Sequence, residues 1–289
     1  MKSCPILLFA VAVVLMACAR HPASKGKETV FSRQPTAGNG KRWILSEEQQ
    51  SAAAHHTRHL DLYGRGIDGI NRAVLAGIDR VQAQAPDGGG YFTGMHADPP
   101  ESPVYYDLGL FGRPLIDIPR RSSYCSGATY AAFIEALNLL YPDGVRLLSD
   151  DRYEALRMQE IDGGRREDDI KFWGNWNADG FGNHFALVQY SGMGTVVHPE
   201  QCRPGDFVNI AWKEGLGHSV IFLGWIESKD QSLLLYWSSQ TGTNGYGDQA
   251  TPLSRIKSIK AVRLTLPDRV FTFSPDTPIE KDIPGDPLF

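Results

Sequence analysis

Ser122-Ser123-Tyr124-Cys125-Ser126-Gly127 runs directly into Ala128-Thr129-Tyr130-Ala131-Ala132-Phe133-Ile134-Glu135-Ala136-Leu137, which places a cysteine in the first turn of a predicted helix. Tyr141-Pro142-Asp143-Gly144 ends that helix, because proline cannot continue it. At a helix N-terminus the unpaired N–H groups and the positive dipole end favour thiolate, and lower a free cysteine pKa from about 8.5. Cys125 is therefore a candidate nucleophile, provided that a base stands beside it.

Downstream the pattern changes. Residues 206–212, 218–225, 233–240 and 260–266 are short apolar or β-rich runs separated by Gly, Lys and Asp turns, and each reads as a strand. A second short helix is expected over 150–158. A helix followed by consecutive strands argues for an α+β fold with a mostly antiparallel sheet.

Upstream, residues 46–85 favour helix, with Ser46 and Gln49 as a capping box and Gly64, Gly66 and Gly69 dividing the stretch. His55, His56 and His59 fall inside it. Without a carboxylate or cysteine at ligand spacing they read as solvated histidines, and no metal site is assigned. Residues 86–121, punctuated by prolines, read as irregular.

Residues 1–17 carry one lysine and an apolar run shorter than the roughly 20 residues a membrane helix needs, the pattern of a signal peptide. Leu15-Met16-Ala17-Cys18 resembles the lipobox of bacterial lipoproteins. That resemblance implies lipid on Cys18 and a membrane tether; Ala19 implies the outer-membrane class, facing the periplasm, in the cell envelope. An ordinary signal peptide is the alternative.

Residues 18–43 have the Ser-, Lys-, Gly- and Pro-rich composition of a flexible tether. The remainder divides into an N-terminal helical region (44–100), a main domain (101–272) and a Pro/Asp-rich, loosely held tail (273–289). A formal charge of −4 makes nucleic acid a poor partner. Cys125 and Cys202 are the cysteines left after Cys18, and a disulfide between them stays open.

Cys125-Ser126-Gly127, Pro204-Gly205-Asp206-Phe207-Val208 and Gly217-His218-Ser219-Val220-Ile221-Phe222-Leu223-Gly224, in that order, resemble the NlpC-type cell-wall cysteine peptidases, with the CHAP amidases as relatives. The resemblance spans residues 122–266. It implies a papain-like core, with the cysteine helix packed on an antiparallel sheet and the histidine on a facing strand. It also implies hydrolysis of amide bonds in peptidoglycan stem peptides without a cofactor. Cys125 would attack, and His218 would serve as base and then acid.

A third group must orient the histidine. Strand alternation puts Leu234, Tyr236, Ser238 and Gln240 on one face. The family most often has His, Asn, Gln or Glu in this role, so Gln240 is selected, with Ser238 and Asn244 as alternatives.

Candidate substrate-binding residues are Tyr124 and Ser126, which flank the thiol, and Trp173, Trp176, Asn177 and Asp179 in the aromatic loop 172–182. The alternative is that the loop's tryptophans plug the core. The Tyr124 hydroxyl or the Cys125 backbone N–H is a candidate oxyanion donor. Two other functions stay open: the same core acting on a different acyl group, and a non-catalytic binding lipoprotein.

Overall fold

A computed structural model describes residues 42–67, 69–92, 102–116, 118, 121–157, 173, 185–278 and 286–287. The expectations for the signal peptide, Cys18, the tether up to residue 41, Trp176, Asn177 and Asp179 lie outside these residues. In chain order the elements are α1 (Glu47–Gln50), α2 (His59–Tyr63), α3 (Ile70–Gln84), β1 (Leu108–Leu110), β2 (Arg113–Ile116), α4 (Cys125–Leu140) and α5 (Asp150–Ala155). They continue with β3 (Gly194–Val197), β4 (Phe207–Trp212), β5 (Gly217–Glu227), β6 (Ser232–Gln240), β7 (Gly245–Pro252), β8 (Ile256–Leu264) and β9 (Asp286–Pro287).

The fold is α+β. The main sheet runs β3-β8-β4-β5-β6-β7, with β9 added on β8, and every neighbouring pair is antiparallel. Strand alternation divides its side chains between two apolar layers. Phe207, Ile221, Leu223, Trp237 and Val262 join the core made with α3 and α4, while Val208, Ile210, Val220, Phe222 and Ile259 form a cluster of their own.

The capping box at Ser46 forms in both directions with Gln49. The helical stretch breaks at Gly64, after α2, and resumes at Ile70. The described residues of the N-terminal helical region, 44–67 and 69–92, pack on the sheet domain. A β-carbon at Gly77 of α3 would lie 2.6 Å from the Ala132 carbonyl of α4, so these helices meet backbone to backbone. Leu45 N–H donates to the Trp225 carbonyl, and Trp225 N–H to that of Trp43, each at 2.9 Å.

The segment expected to be irregular contains the β1–β2 hairpin. Its turn uses positive φ at Phe111 (52°) and Gly112 (80°), and Asn138 of α4 fastens it. The Asn138 side chain accepts from Phe111 N–H at 2.7 Å and donates to the Gly109 carbonyl at 2.9 Å. The start of the tail is also held, contrary to expectation. Phe273 is buried against Tyr190, whose hydroxyl donates to the Pro275 carbonyl at 2.7 Å, and β9 pairs with β8.

Candidate active site

Cys125 is the first residue of α4, after an extended Tyr124 that supplies no side-chain cap. Gly127 is required there by its own backbone neighbour, because a β-carbon would sit 1.8 Å from the Pro103 carbonyl. That carbonyl also accepts Tyr124 N–H at 3.3 Å. Pro103 thus makes the close approach that only a glycine permits.

The helix enters where β5 and β6 part. Their ladder runs from Glu227↔Ser232 to Ile221↔Trp237, and Ser219 lies beyond it. The Ser219 carbonyl accepts from Ser238 Oγ at 2.6 Å, and its hydroxyl meets Thr129 Oγ1 of α4 at 2.9 Å. The backbone N–H groups of Ser219, of Ser126 and of Cys125 itself favour the anionic form of the Cys125 sulfur. Ser123 Oγ and Ser239 Oγ, 2.8 Å apart, fasten the preceding segment to β6.

His218 precedes Ser219 on β5. Its ring lies between Trp212, stacked at 6.3 Å, and Tyr236, edge-on at 5.6 Å. Nε2 is 3.3 Å from Gln240 Oε1, while Gln240 Nε2 donates to Thr243 Oγ1 (2.6 Å) and to the Gly247 carbonyl (3.0 Å). Two acceptors for the amide nitrogen turn its oxygen toward the ring. The Nε2 position then carries the proton, and Nδ1 keeps its lone pair.

Of the three candidate orienters, Gln240 is the one bonded to the histidine. Ser238 is committed to Ser219, and Asn244 takes a left-handed turn conformation (φ 47°).

The expected lowering of the thiol pKa is corrected. Burial pushes Cys125 up to about 11 even though three backbone N–H groups favour its anion. Burial also pushes His218 down to about 4, against the opposing effect of Gln240. Desolvation penalises both charged forms, so the resting pair is a neutral thiol and a neutral imidazole. Among the described residues, no hydrogen bond joins the Cys125 sulfur to the His218 ring.

Tyr91 lies near Cys125 and was missed in the sequence. Residues 90–92 run beside Ser123: Ser123 N–H donates to the Gly90 carbonyl and Phe92 N–H to that of Ser123, each at 3.1 Å. Burial, and then the proximity of the Cys125 thiolate charge, raise the Tyr91 phenol to about 12, so it stays a donor. The flanking residues Tyr124 and Ser126 are both buried, and Ser126 Oγ has no hydrogen-bond partner among the described residues.

Trp173 is corrected from ligand loop to core. It is fully buried against Tyr130, Phe133 and Phe207, and its Nε1 donates to the Ser126 carbonyl at 3.0 Å. Cys202 is buried and both thiols are free, so the two cysteines are not bridged. Asp206 of the Pro-Gly-Asp motif is structural: it accepts from Arg263 Nε (2.8 Å) and Nη2 (2.7 Å), Asn71 Nδ2 (2.9 Å) and Arg203 N–H (2.8 Å). It thereby locks α3 to β4 and β8. His56 and His59 are not solvated, since the His59 side chain is fully buried and that of His56 is 10% exposed.

In comparison with known proteins, the chain matches no family model, no curated protein and no solved structure.

Proposed function

We propose that this protein is a lipid-anchored cysteine hydrolase with a papain-like core, which cleaves amide bonds in peptidoglycan stem peptides at the outer membrane. One observation carries the reading: a thiol at a helix start lies against the strand residue that follows a histidine, and that histidine is oriented by an amide.

Each step uses a group already described. Nδ1 of His218 takes the proton of the Cys125 thiol as the substrate carbonyl arrives, and sulfur attacks the carbonyl carbon. The N–H groups of Cys125 and Ser126, with the Tyr91 hydroxyl, serve as donors to the developing oxyanion. The protonated His218 then gives its proton to the leaving amine, leaving an acyl group on sulfur. Water, deprotonated by Nδ1, hydrolyses that thioester and restores both neutral groups. Gln240 holds Nε2–H throughout, so Nδ1 alone exchanges protons.

The resting neutral pair fits a site that separates charge only with substrate present. It equally motivates a second reading, a cell-wall-binding lipoprotein without activity. Incubation with purified sacculi, followed by mass spectrometry of the soluble products, distinguishes the two. The hydrolase releases peptide fragments, and Cys125→Ala lowers the rate by about 10⁴-fold or more. Undiminished release by Cys125→Ala overturns the proposal. Sacculi that are bound but uncut support the binding protein, and intact, unbound sacculi point to a different acyl substrate.

A further inference from the structure

We propose that His56, His59 and Asp248 bind one divalent transition-metal ion of the zinc class, at a site apart from Cys125. This inference does not rest on the hydrolase reading. The segment Ala54-His55-His56-Thr57-Arg58-His59 joins α1 to α2, and its backbone is tied to β7 by Asp248 N–H, which donates to the Ala54 carbonyl at 2.8 Å. That tie brings two histidines onto a carboxylate 189 residues away from His59.

The donor atoms converge. Nε2 of His56 lies 3.0 Å from Asp248 Oδ2, and Nε2 of His59 lies 2.9 Å from Asp248 Oδ1. One ligand atom from each residue falls within 4.8 Å of the other two. The rings stack at 4.1 Å, so both Nε2 atoms approach from the same side. Side-chain exposures of 10%, 0% and 5% for His56, His59 and Asp248 place the set in a largely dry environment.

Two imidazole nitrogens and one carboxylate oxygen form a donor set suited to zinc and its neighbours rather than to magnesium or calcium. Zinc–nitrogen bonds of roughly 2.0–2.1 Å would draw the ligand atoms inward, and water would complete a four-coordinate shell.

The surroundings are those a metal-binding histidine uses. The other ring nitrogen of His59, Nδ1, is 2.7 Å from Asp79 Oδ1. That carboxylate is itself fixed by the backbone N–H groups of His59 (2.7 Å) and Leu60 (3.1 Å). A carboxylate on the distal nitrogen sets the tautomer and strengthens the ligand. Tyr63 Oη lies 3.3 Å from Asp248 Oδ2 and steadies the third ligand.

Occupancy would clamp residues 54–63 to β7. The neighbouring Gly247 carbonyl accepts from Gln240 Nε2, so the clamp adjoins the residue that orients His218.

The test uses the full chain, stripped with a chelator and titrated with Zn²⁺ by calorimetry, with thermal unfolding measured in parallel. One Zn²⁺ binds per chain and raises the unfolding temperature. His56→Ala loses stoichiometric binding and the temperature shift, and Asp79→Asn weakens binding roughly 10- to 100-fold. Absence of stoichiometric binding by the wild-type chain overturns the proposal, as does equal binding by a folded His56→Ala. If His56→Ala does not fold, Co²⁺ loaded into the wild-type chain decides: tetrahedral ligand-field absorption supports the site, and a purely hydrated-ion spectrum overturns it.

Discussion

In the chain stripped of metal, His218 and His59 are both buried, yet they rest in opposite charge states. His218 donates Nε2–H to an amide, and burial holds its pKa down at about 4. Burial pushes His59 in the same direction, but the charge of Asp248, with the hydrogen bonds that Asp248 and Asp79 accept from the ring, outweighs it and raises the pKa to about 9. Desolvation sets the cost of charging a histidine, and the charge on its partner decides whether that cost is met. A neutral orienter therefore leaves a base that is ready to accept a proton, whereas two carboxylates leave a cation that cannot.

The largest expected effect comes from breaking the charged site. Asp248→Asn leaves the His59 imidazolium with one carboxylate and costs about 3–5 kcal/mol, read as a lower midpoint in urea unfolding.

Gln240→Glu tests the comparison from the other side, by giving His218 a charged partner. Its pKa should rise from about 4 past the usual 6.5, visible in the pH titration of its ring resonances by NMR. The hydrolytic rate at neutral pH should fall about tenfold as the base becomes protonated.

The pH dependence of stability follows from the same contrast. His218 binds a proton more readily unfolded, near 6.5, than folded, near 4. Its contribution is thus fully present above pH 6.5 and is lost as the pH falls toward 4. Between those values the slope reaches up to about 1.4 kcal/mol per pH unit. His218→Asn should flatten it in denaturant titrations across that window.

The smallest effect concerns the tie between helix and strand. Thr129→Val removes the hydroxyl that meets Ser219 and should cost about 1–2 kcal/mol in the same assay.

Much of the frame was legible in the chain. α4 announced itself by its helix formers and the terminating Pro142, and β4, β5, β6 and β8 by their apolar and β-branched runs. β7 was not legible, because Gly245, Gly247 and Pro252 depress strand propensity; it is the last strand of the order, where such residues are tolerated.

The site divided in the same way. Alternation along β6 put Gln240 on one face with Ser238, and the residue types usual in the resembled family favoured Gln240. Tyr91 follows a glycine run that reads as a turn, and its parallel approach to Ser123 has no local signal. Asp248 could not be joined to His59 by spacing, since only the sheet brings them together. Trp173 looked like a ligand-binding indole, and its burial depended on α4 and Phe207, far off in sequence. The thiol pKa was misjudged because the helix dipole is visible in sequence, while the depth of burial is not.

The central claim is that Cys125 carries the acyl group during turnover. Acid-quenching the protein during digestion of sacculi, followed by peptide mapping, measures this directly. The expected result is a peptidoglycan-derived acyl adduct on the Cys125 peptide, absent from Cys125→Ala and also from His218→Ala, which lacks the base that activates the thiol. Release of fragments with Cys125 unmodified throughout, at a rate unchanged by Cys125→Ala, would contradict it.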